Sequence, residues 1–347
     1  MQGIRVAVVG ATGLVGGHLL EILAQSSLPL AEVKPLASKR SVGRVVTFRE
    51  KPLTVQPAEP QALAGMDVVF MAAGGKVSQE LAPAAVQQGA VVIDKSSAFR
   101  MDPRVPLVVP EINGSALAGH QGIIASPNCT TSQLVMALAP LHQAAGLRRV
   151  IVSTYQSVSG SGIEAMHTLH NQTNRRLAAD EEGEGDDDLD LGPYPVPIAF
   201  NVIPQCDDFA DGGYTKEEWK IMAETRKILG LPHLAITATA VRVPVMVGHS
   251  EAVLVELERP LSEEDARRAL EAMPGVVVMD RREPGGYPTA LTAAGRDEVF
   301  VGRIRRDPSV PNGLWLWIVS DNLRKGAATN AVQIAEALFA RGMLRAG

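Results

Sequence analysis

The chain is short of cysteine, of long apolar runs and of positive charge. Only Cys129 and Cys206 occur in 347 residues. Two cysteines cannot build a disulfide framework, so a reducing, cytoplasmic setting with a usable free thiol is expected. No apolar run reaches the roughly 18 residues that a membrane span requires. The opening Met1-Gln2-Gly3 enters a strand directly, without the basic and apolar regions of a signal peptide. The formal net charge is -5, which argues against a nucleic-acid partner. A small anionic ligand would need a local basic pocket. No internal repeat is visible. The acidic run at 180–190 lacks the ordered ligand spacing of a calcium loop and reads as a solvated loop, so no metal is expected.

What is present is ordinary globular material, 46% apolar and 20% charged, and the length suggests two domains. Buried-strand patterns at 4–10, 32–37, 67–73, 91–94 and 122–125 alternate with helical patterns at 14–25 and 76–88. This alternation implies an α/β, Rossmann-like domain with a parallel, doubly wound sheet. After residue 148 the strand candidates lengthen, at 149–158, 234–247, 251–258, 298–305 and 314–320. They fit a second, α+β domain with a mainly antiparallel sheet. Ser262 with Glu263, Glu264 and Asp265 marks a helix start. An amphipathic helix at 326–342 closes the chain and is expected to return to the first domain, because a lone terminal helix must bury its apolar face. The division expected is 1–128, completed by 323–347, and 129–322.

Gly10, Gly13 and Gly16 sit between a strand and a helix, with Thr12, Leu14 and Val15 interleaved. Glycines there allow a tight turn and close backbone approach to a pyrophosphate. The helix start offers N–H groups and a positive dipole end to phosphate. An NAD site usually carries an acid at the end of the second strand. This chain has Ser38-Lys39-Arg40-Ser41 instead, and Ser38, Arg40 and Ser41 suit a 2′-phosphate, so NADP is the expected cofactor.

Cys129 lies in Ser126-Pro127-Asn128-Cys129-Thr130-Thr131, after a strand and before a helical run. A helix N-terminus stabilises a thiolate, and nearby backbone N–H groups can hold an oxyanion. Cys206 sits beside Asp207 and Asp208, which disfavour a thiolate. His249 stands at a turn between two strands and is a candidate proton shuttle; His142, His167 and His170 lie on helical segments.

Taken in order, GATGLVG at 10–16, SPNCTT at 126–131, YQSVSGSG at 155–162, EEWK at 217–220, RVPVMVGHS at 242–250 and DNLRKGAA at 321–328 resemble the aspartate-β-semialdehyde dehydrogenases over essentially the whole chain. The resemblance implies an NADPH-dependent reduction of an acyl phosphate to an aldehyde through a thioester on Cys129. Gln156 would orient the substrate and His249 would serve as acid–base. Arg242 would hold the substrate carboxylate and Glu217 (or Glu218) its ammonium. Lys220, Arg100 and Asn128 would meet phosphate. Gly74, Ser159, Gly160 and Asn322 would join the cofactor set, and a homodimer or dimer of dimers is implied. Competing readings are an N-acetylglutamyl-phosphate reductase, which needs no acid for a free ammonium, a glyceraldehyde-phosphate dehydrogenase, whose substrate lacks the carboxylate, and a non-catalytic NADP-binding regulatory protein.

Overall fold

The computed structural model describes residues 3–178 and 189–344. All but the last two residues of the acidic run at 180–190 lie outside that description. The chain divides into two compact units, one of Met1–Ser132, Lys227–Gly230 and Leu323–Gly347, the other of Gln133–Arg226 and Leu231–Asn322.

The first unit is built on strands β1 (Ile4–Val9), β2 (Leu30–Ala37), β3 (Val45–Phe48), β4 (Lys51–Thr54), β5 (Gln56–Pro57), β6 (Val68–Met71), β7 (Val91–Asp94) and β8 (Ile123–Ala125). Six of them form one sheet in the order β5-β2-β1-β6-β7-β8, and every pair is parallel. The order reverses at β1, which is where a doubly wound sheet opens a crevice at its carboxyl edge. β1, β6 and β7 are apolar almost throughout because both faces of the sheet are covered. On one face the helix at Leu14–Gln25 and the terminal helix at Thr329–Ala340 bury Leu19, Leu23, Ile334 and Leu338. On the other the helix at Gly75–Gln87 buries Leu81, Ala82 and Ala85. β3 and β4 form a separate antiparallel hairpin. Its short, largely exposed strands, one holding Pro52, carry no clear apolar alternation, and the sequence gives no strand there.

The second unit contains β9 (Leu147–Gln156), β10 (Ala235–Arg242), β11 (His249–Leu257), β12 (Val276–Val278), β13 (Val299–Arg306) and β14 (Gly313–Ser320). Their order is β10-β9-β11-β14-β13-β12. The three central pairs are antiparallel and the two edge pairs are parallel, so the sheet is mixed. One strand expectation needs correction. The run 234–247 is not a single strand; it ends at Arg242. Pro244 has no N–H to continue the ladder, and Gly248 adopts a positive φ of 97° before β11 begins. Ser262 does cap its helix, accepting from the Asp265 N–H.

Candidate active site

In the first unit the glycine turn has the shape its sequence requires. Gly10 has φ +91°, and a Cβ there would lie 2.6 Å from the Ala72 carbonyl oxygen. A Cβ on Gly16 would lie 2.1 Å from the Gly10 carbonyl oxygen. No side chain fits either place, so helix and strand approach as closely as backbone allows. Gly13 caps the helix at Leu14–Gln25 without a side-chain bond, which leaves that end to a ligand. Leu14 and Val15 are half-buried behind it. The Thr12 and Ser41 hydroxyls lie 3.3 Å apart. Ser38 starts a short turn at Lys39–Ser41, and Arg40 is exposed on it. Gly74, with φ +88°, opens the helix at Gly75–Gln87.

Cys129 is the first residue of a helix that runs to Ala145. The Asn128 side-chain oxygen accepts from the Thr130 N–H at 2.9 Å and from the Thr131 N–H at 3.4 Å. It also accepts from the Thr130 hydroxyl. Asn128 is thus the helix cap. This spends the amides of Thr130 and Thr131, so an oxyanion would have to be met by other donors. Arg100 is buried and donates to the carbonyls of Ser126 at 3.0 Å and Lys95 at 2.7 Å. It fastens the segment that leads to the thiol. Behind Cys129 lies Gly326, where a Cβ would come within 3.0 Å of the Cys129 Cβ. That glycine belongs to a π-helical turn at Arg324–Ala328. Lys325, almost fully buried, anchors the turn through Glu111 at 2.6 Å and Gln333 at 2.7 Å. Gly326 and Lys95 were not singled out from sequence. Gly326 lies against Cys129, and Lys95 bonds the Pro127 carbonyl just before it, each across a long chain separation that no local pattern marks.

In the second unit the register explains the clustering. Gln156 ends β9 and Arg242 ends β10, and these two residues are paired neighbours. His249 starts β11, antiparallel to β9. Three strand ends, spread over nearly a hundred residues of chain, therefore meet at one edge. The His249 ring is fully buried, and its Nδ1 accepts the Ser157 N–H at 3.0 Å. Burial, followed by the repulsion of Arg242, pushes the imidazole pKa well below 6.5. Arg242 donates from Nη1 to the Ser157 carbonyl at 2.6 Å. Gly160 lies against both, since a Cβ there would be 2.9 Å from Arg242 Nη1 and 3.2 Å from His249 Nε2. Arg242 Nε and His249 Nε2 are buried without a hydrogen-bond partner. Buried polar nitrogens left in this way are costly, and they mark a place where a ligand completes the bonding.

The two candidate acids separate cleanly. Glu218 accepts backbone N–H groups from Thr215 at 2.7 Å and Ala240 at 2.8 Å, so it is a fixture of the fold. Glu217 instead meets the Gln156 amide at 3.4 Å and Lys220 Nζ at 3.3 Å. Lys220 also pairs with Asp207 at 2.5 Å, a residue the sequence showed only as a neighbour of Cys206. Burial pulls the Lys220 pKa down, but Glu217 and Asp207 outweigh it and the net shift is upward. Cys206 itself is buried, and neither cysteine is in a disulfide. Asn322 and Ser159 are buried as well. Asn322 Oδ1 accepts from Ser157 Oγ, Ser159 Oγ and the Gly248 N–H at 2.9–3.1 Å. The Asn322 side chain thereby ties together the loops on either side of His249.

A further buried acid stands two residues on. Neither Glu251 oxygen has a hydrogen-bond partner. Burial pushes its carboxyl well above the ordinary range. The folded state keeps this proton where the unfolded chain, at about pH 4.5, has begun to release it. Stability from this group is therefore lost as pH rises above that value. Glu251→Gln should remove the loss, raising the melting temperature relative to the parent by about 2 °C or more at pH 8 and less at pH 5. Parallel melting curves across that range would show that the carboxyl carries no such proton.

Among the described residues no group of His, Cys, Asp and Glu could hold a metal ion, and no helix is long and apolar enough to cross a membrane. Residues 5–120 match the family model for the semialdehyde dehydrogenase NAD binding domain, and residues 138–325 match that for the semialdehyde dehydrogenase dimerisation domain. The aspartate-semialdehyde dehydrogenase of Aquifex aeolicus is 48% identical over 99% of this chain and 100% of its own. That of Bacillus subtilis is 49% identical over 97% of this chain and 98% of its own. A crystal structure of aspartate semialdehyde dehydrogenase II complexed with ASA from Vibrio cholerae superposes with a TM-score of 0.93 at 43% identity, covering 98% of this chain and 99% of that one. Agreement of this extent, end to end and in both domain models, means that the chain belongs to the aspartate-semialdehyde dehydrogenase family.

Proposed function

We propose that the protein interconverts L-aspartyl 4-phosphate and L-aspartate 4-semialdehyde with NADP(H), through a thioester on Cys129. The observation that carries the substrate reading is the pair of buried, unpartnered nitrogens, Arg242 Nε and His249 Nε2, beside Glu217 and Gln156. A guanidinium with an unused N–H suits a carboxylate. The Glu217 carboxylate suits an ammonium, which an N-acetylated substrate lacks. In the oxidative direction the Cys129 thiol adds across the aldehyde C=O, its sulfur to the carbon and its proton to the oxygen, which becomes a hydroxyl. His249, neutral before the reaction, takes the hydroxyl proton as the carbonyl reforms. The acyl group then stays on sulfur until inorganic phosphate displaces it, with Lys220 and Arg100 meeting the phosphate charge. The nicotinamide, when bound, supplies the hydride acceptor or donor.

The glycine turn fits a dinucleotide pyrophosphate, because the Cβ positions at Gly10 and Gly16 are filled by backbone. Arg40 with Ser38 and Ser41 would hold the 2′-phosphate. Arg40→Ala should weaken NADP binding about 10-fold or more and NAD binding by less than about 2-fold. Equal losses, measured by fluorescence titration of both reduced cofactors, would void that assignment. We also infer a homodimer in the cytoplasm. A nucleophilic Cys129 must stay reduced, which suits a reducing compartment. One face of the second sheet carries an apolar groove of about 1130 Å³ lined by Tyr155, Met246, Tyr287, Leu291 and Trp317, which a second copy would cover. Leu291 is 89% exposed there. Leu291→Arg should shift the sedimentation mass toward the monomer, and an unchanged mass would remove that face from the interface. The assay that decides the activity follows phosphate-dependent NADPH formation from aspartate semialdehyde beside N-acetylglutamate semialdehyde. Turnover of the first alone is expected; turnover of the second alone would replace the substrate assignment.

A further inference from the structure

Lys95 stands outside the residues given a chemical role above, yet it is the cation most closely tied to the segment that delivers Cys129. It follows the buried end of β7. Its ammonium donates to the Pro127 carbonyl at 2.8 Å, to the Gly326 carbonyl at 3.0 Å and to Ser126 Oγ at 3.4 Å. An ammonium has three N–H donors, and here each has an acceptor. Two of those acceptors lie just before Cys129. The third belongs to the glycine whose Cα leaves only 3.0 Å between a Cβ of its own and the Cys129 Cβ. One cation thus joins the loop in front of the thiol to the turn behind it. Its backbone helps too, because the Lys95 carbonyl accepts from Arg100 Nη2 at 2.7 Å, and Arg100 Nε reaches the Ser126 carbonyl.

We propose that Lys95 is a positioning residue for the nucleophile, a clamp that holds Cys129 between the Ser126–Asn128 segment and the Gly326 turn while keeping a positive charge beside the helix start. The inference deepens the reading of Cys129 as the nucleophile and rests on it. Lys95 differs from its charged neighbours in reaching both the loop before the thiol and the turn behind it. Asp94, next to it, turns its carboxylate to Ser78 and Ser96, with bonds of 2.8–2.9 Å. Lys325 is neutralised by Glu111 at 2.6 Å. Arg100 donates to the Ser126 carbonyl on the thiol segment and to the carbonyl of Lys95 itself. With three acceptors already in place, Lys95 is built to hold protein rather than to bind phosphate. A cation near a cysteine favours its thiolate, so losing Lys95 should disturb both the placement and the ionisation of Cys129.

The test uses the whole enzyme. The pH dependence of Cys129 alkylation by iodoacetamide is read by mass spectrometry for the parent, Lys95→Met, Lys95→Gln and Lys95→Arg. Kinetics with aspartate semialdehyde, NADP binding and melting temperature are measured on the same preparations. Lys95→Met and Lys95→Gln should move the alkylation midpoint up by about half a pH unit or more and lower kcat by about 10-fold or more, with KM and NADP affinity within about 3-fold. Lys95→Arg, which keeps the charge, should restore most of the midpoint. Gly326→Ala, which loads the other side of the clamp, should lower kcat without moving NADP affinity. An unchanged midpoint in Lys95→Met and Lys95→Gln, whether or not the melting temperature falls, would overturn the proposal. A parent enzyme that shows the normal alkylation profile but no turnover would overturn the reading of function and leave the clamp standing.

Discussion

Cys129→Ala abolishes turnover, with a loss expected at about 10⁴-fold or more, while NADP binding stays within about 2-fold of the parent. The size of the effect follows from covalency. Without the sulfur there is no acyl acceptor, and no neighbouring group can substitute; Thr130 and Thr131 are buried and their amides are spent on the Asn128 cap. The small effect on cofactor binding follows from chain position. The glycine turn at Gly10–Gly16 lies more than a hundred residues upstream, and its backbone bonds run to Leu36 and within the turn itself. Substantial residual activity in a preparation free of parent enzyme would remove the thioester. A matched loss of cofactor affinity would show instead that the substitution had damaged the first unit as a whole.

The second large effect is expected at His249. His249→Asn should lower kcat by about 10²–10⁴-fold, the range for loss of a proton-transfer group. Its pH behaviour is specific. Burial and Arg242 disfavour the charged ring, so the folded enzyme keeps the neutral imidazole at pH values where a free histidine is protonated. Activity that depends on the neutral ring should therefore persist below pH 6.5. The linked stability is present above that value and is lost as pH falls below it, because the unfolded chain takes up the proton first. An acid limb at or above pH 6.5 that vanishes in His249→Asn would contradict the depressed pKa. A kcat unchanged in the variant would contradict the role itself. The buried Nε2 also gives the substitution a geometric meaning, since asparagine retains a polar group but does not exchange a proton near neutrality.

What could be read from the sequence follows the reach of each interaction. The glycine turn and the helix start beside Cys129 are local, and they work through bonds to residues a few positions away, so their sequence marks were clear. The parallel sheet of the first unit was legible because buried strands carry unbroken apolar runs. The hairpin at β3 and β4 was not, because its strands are short, mostly exposed and interrupted by Pro52. The run 234–247 read as one strand because its composition is uniform, and only Pro244 and the positive φ of Gly248 divide it. In the second unit Gln156, Arg242 and His249 were named individually, but their meeting depends on the pairing of β9 with β10 and β11, which composition does not reveal. Between Glu217 and Glu218 the sequence favoured Glu217 only by its spacing to Lys220, and it could not show how their partners differ. Adjacent on one helix, they face a lysine and amide in one case and two backbone N–H groups in the other. Asp207, Lys95 and Gly326 lay beyond sequence reading altogether, since each matters only through residues distant in the chain.

The most direct measurement withholds phosphate. Enzyme mixed rapidly with aspartate semialdehyde and NADP should form about one NADPH per active site in a burst, after which quenching and peptide mass analysis should find the aspartyl group on the peptide bearing Cys129. An adduct on any other side chain, or a full burst with no adduct at all, would mean that the carbonyl is oxidised without passing through this sulfur.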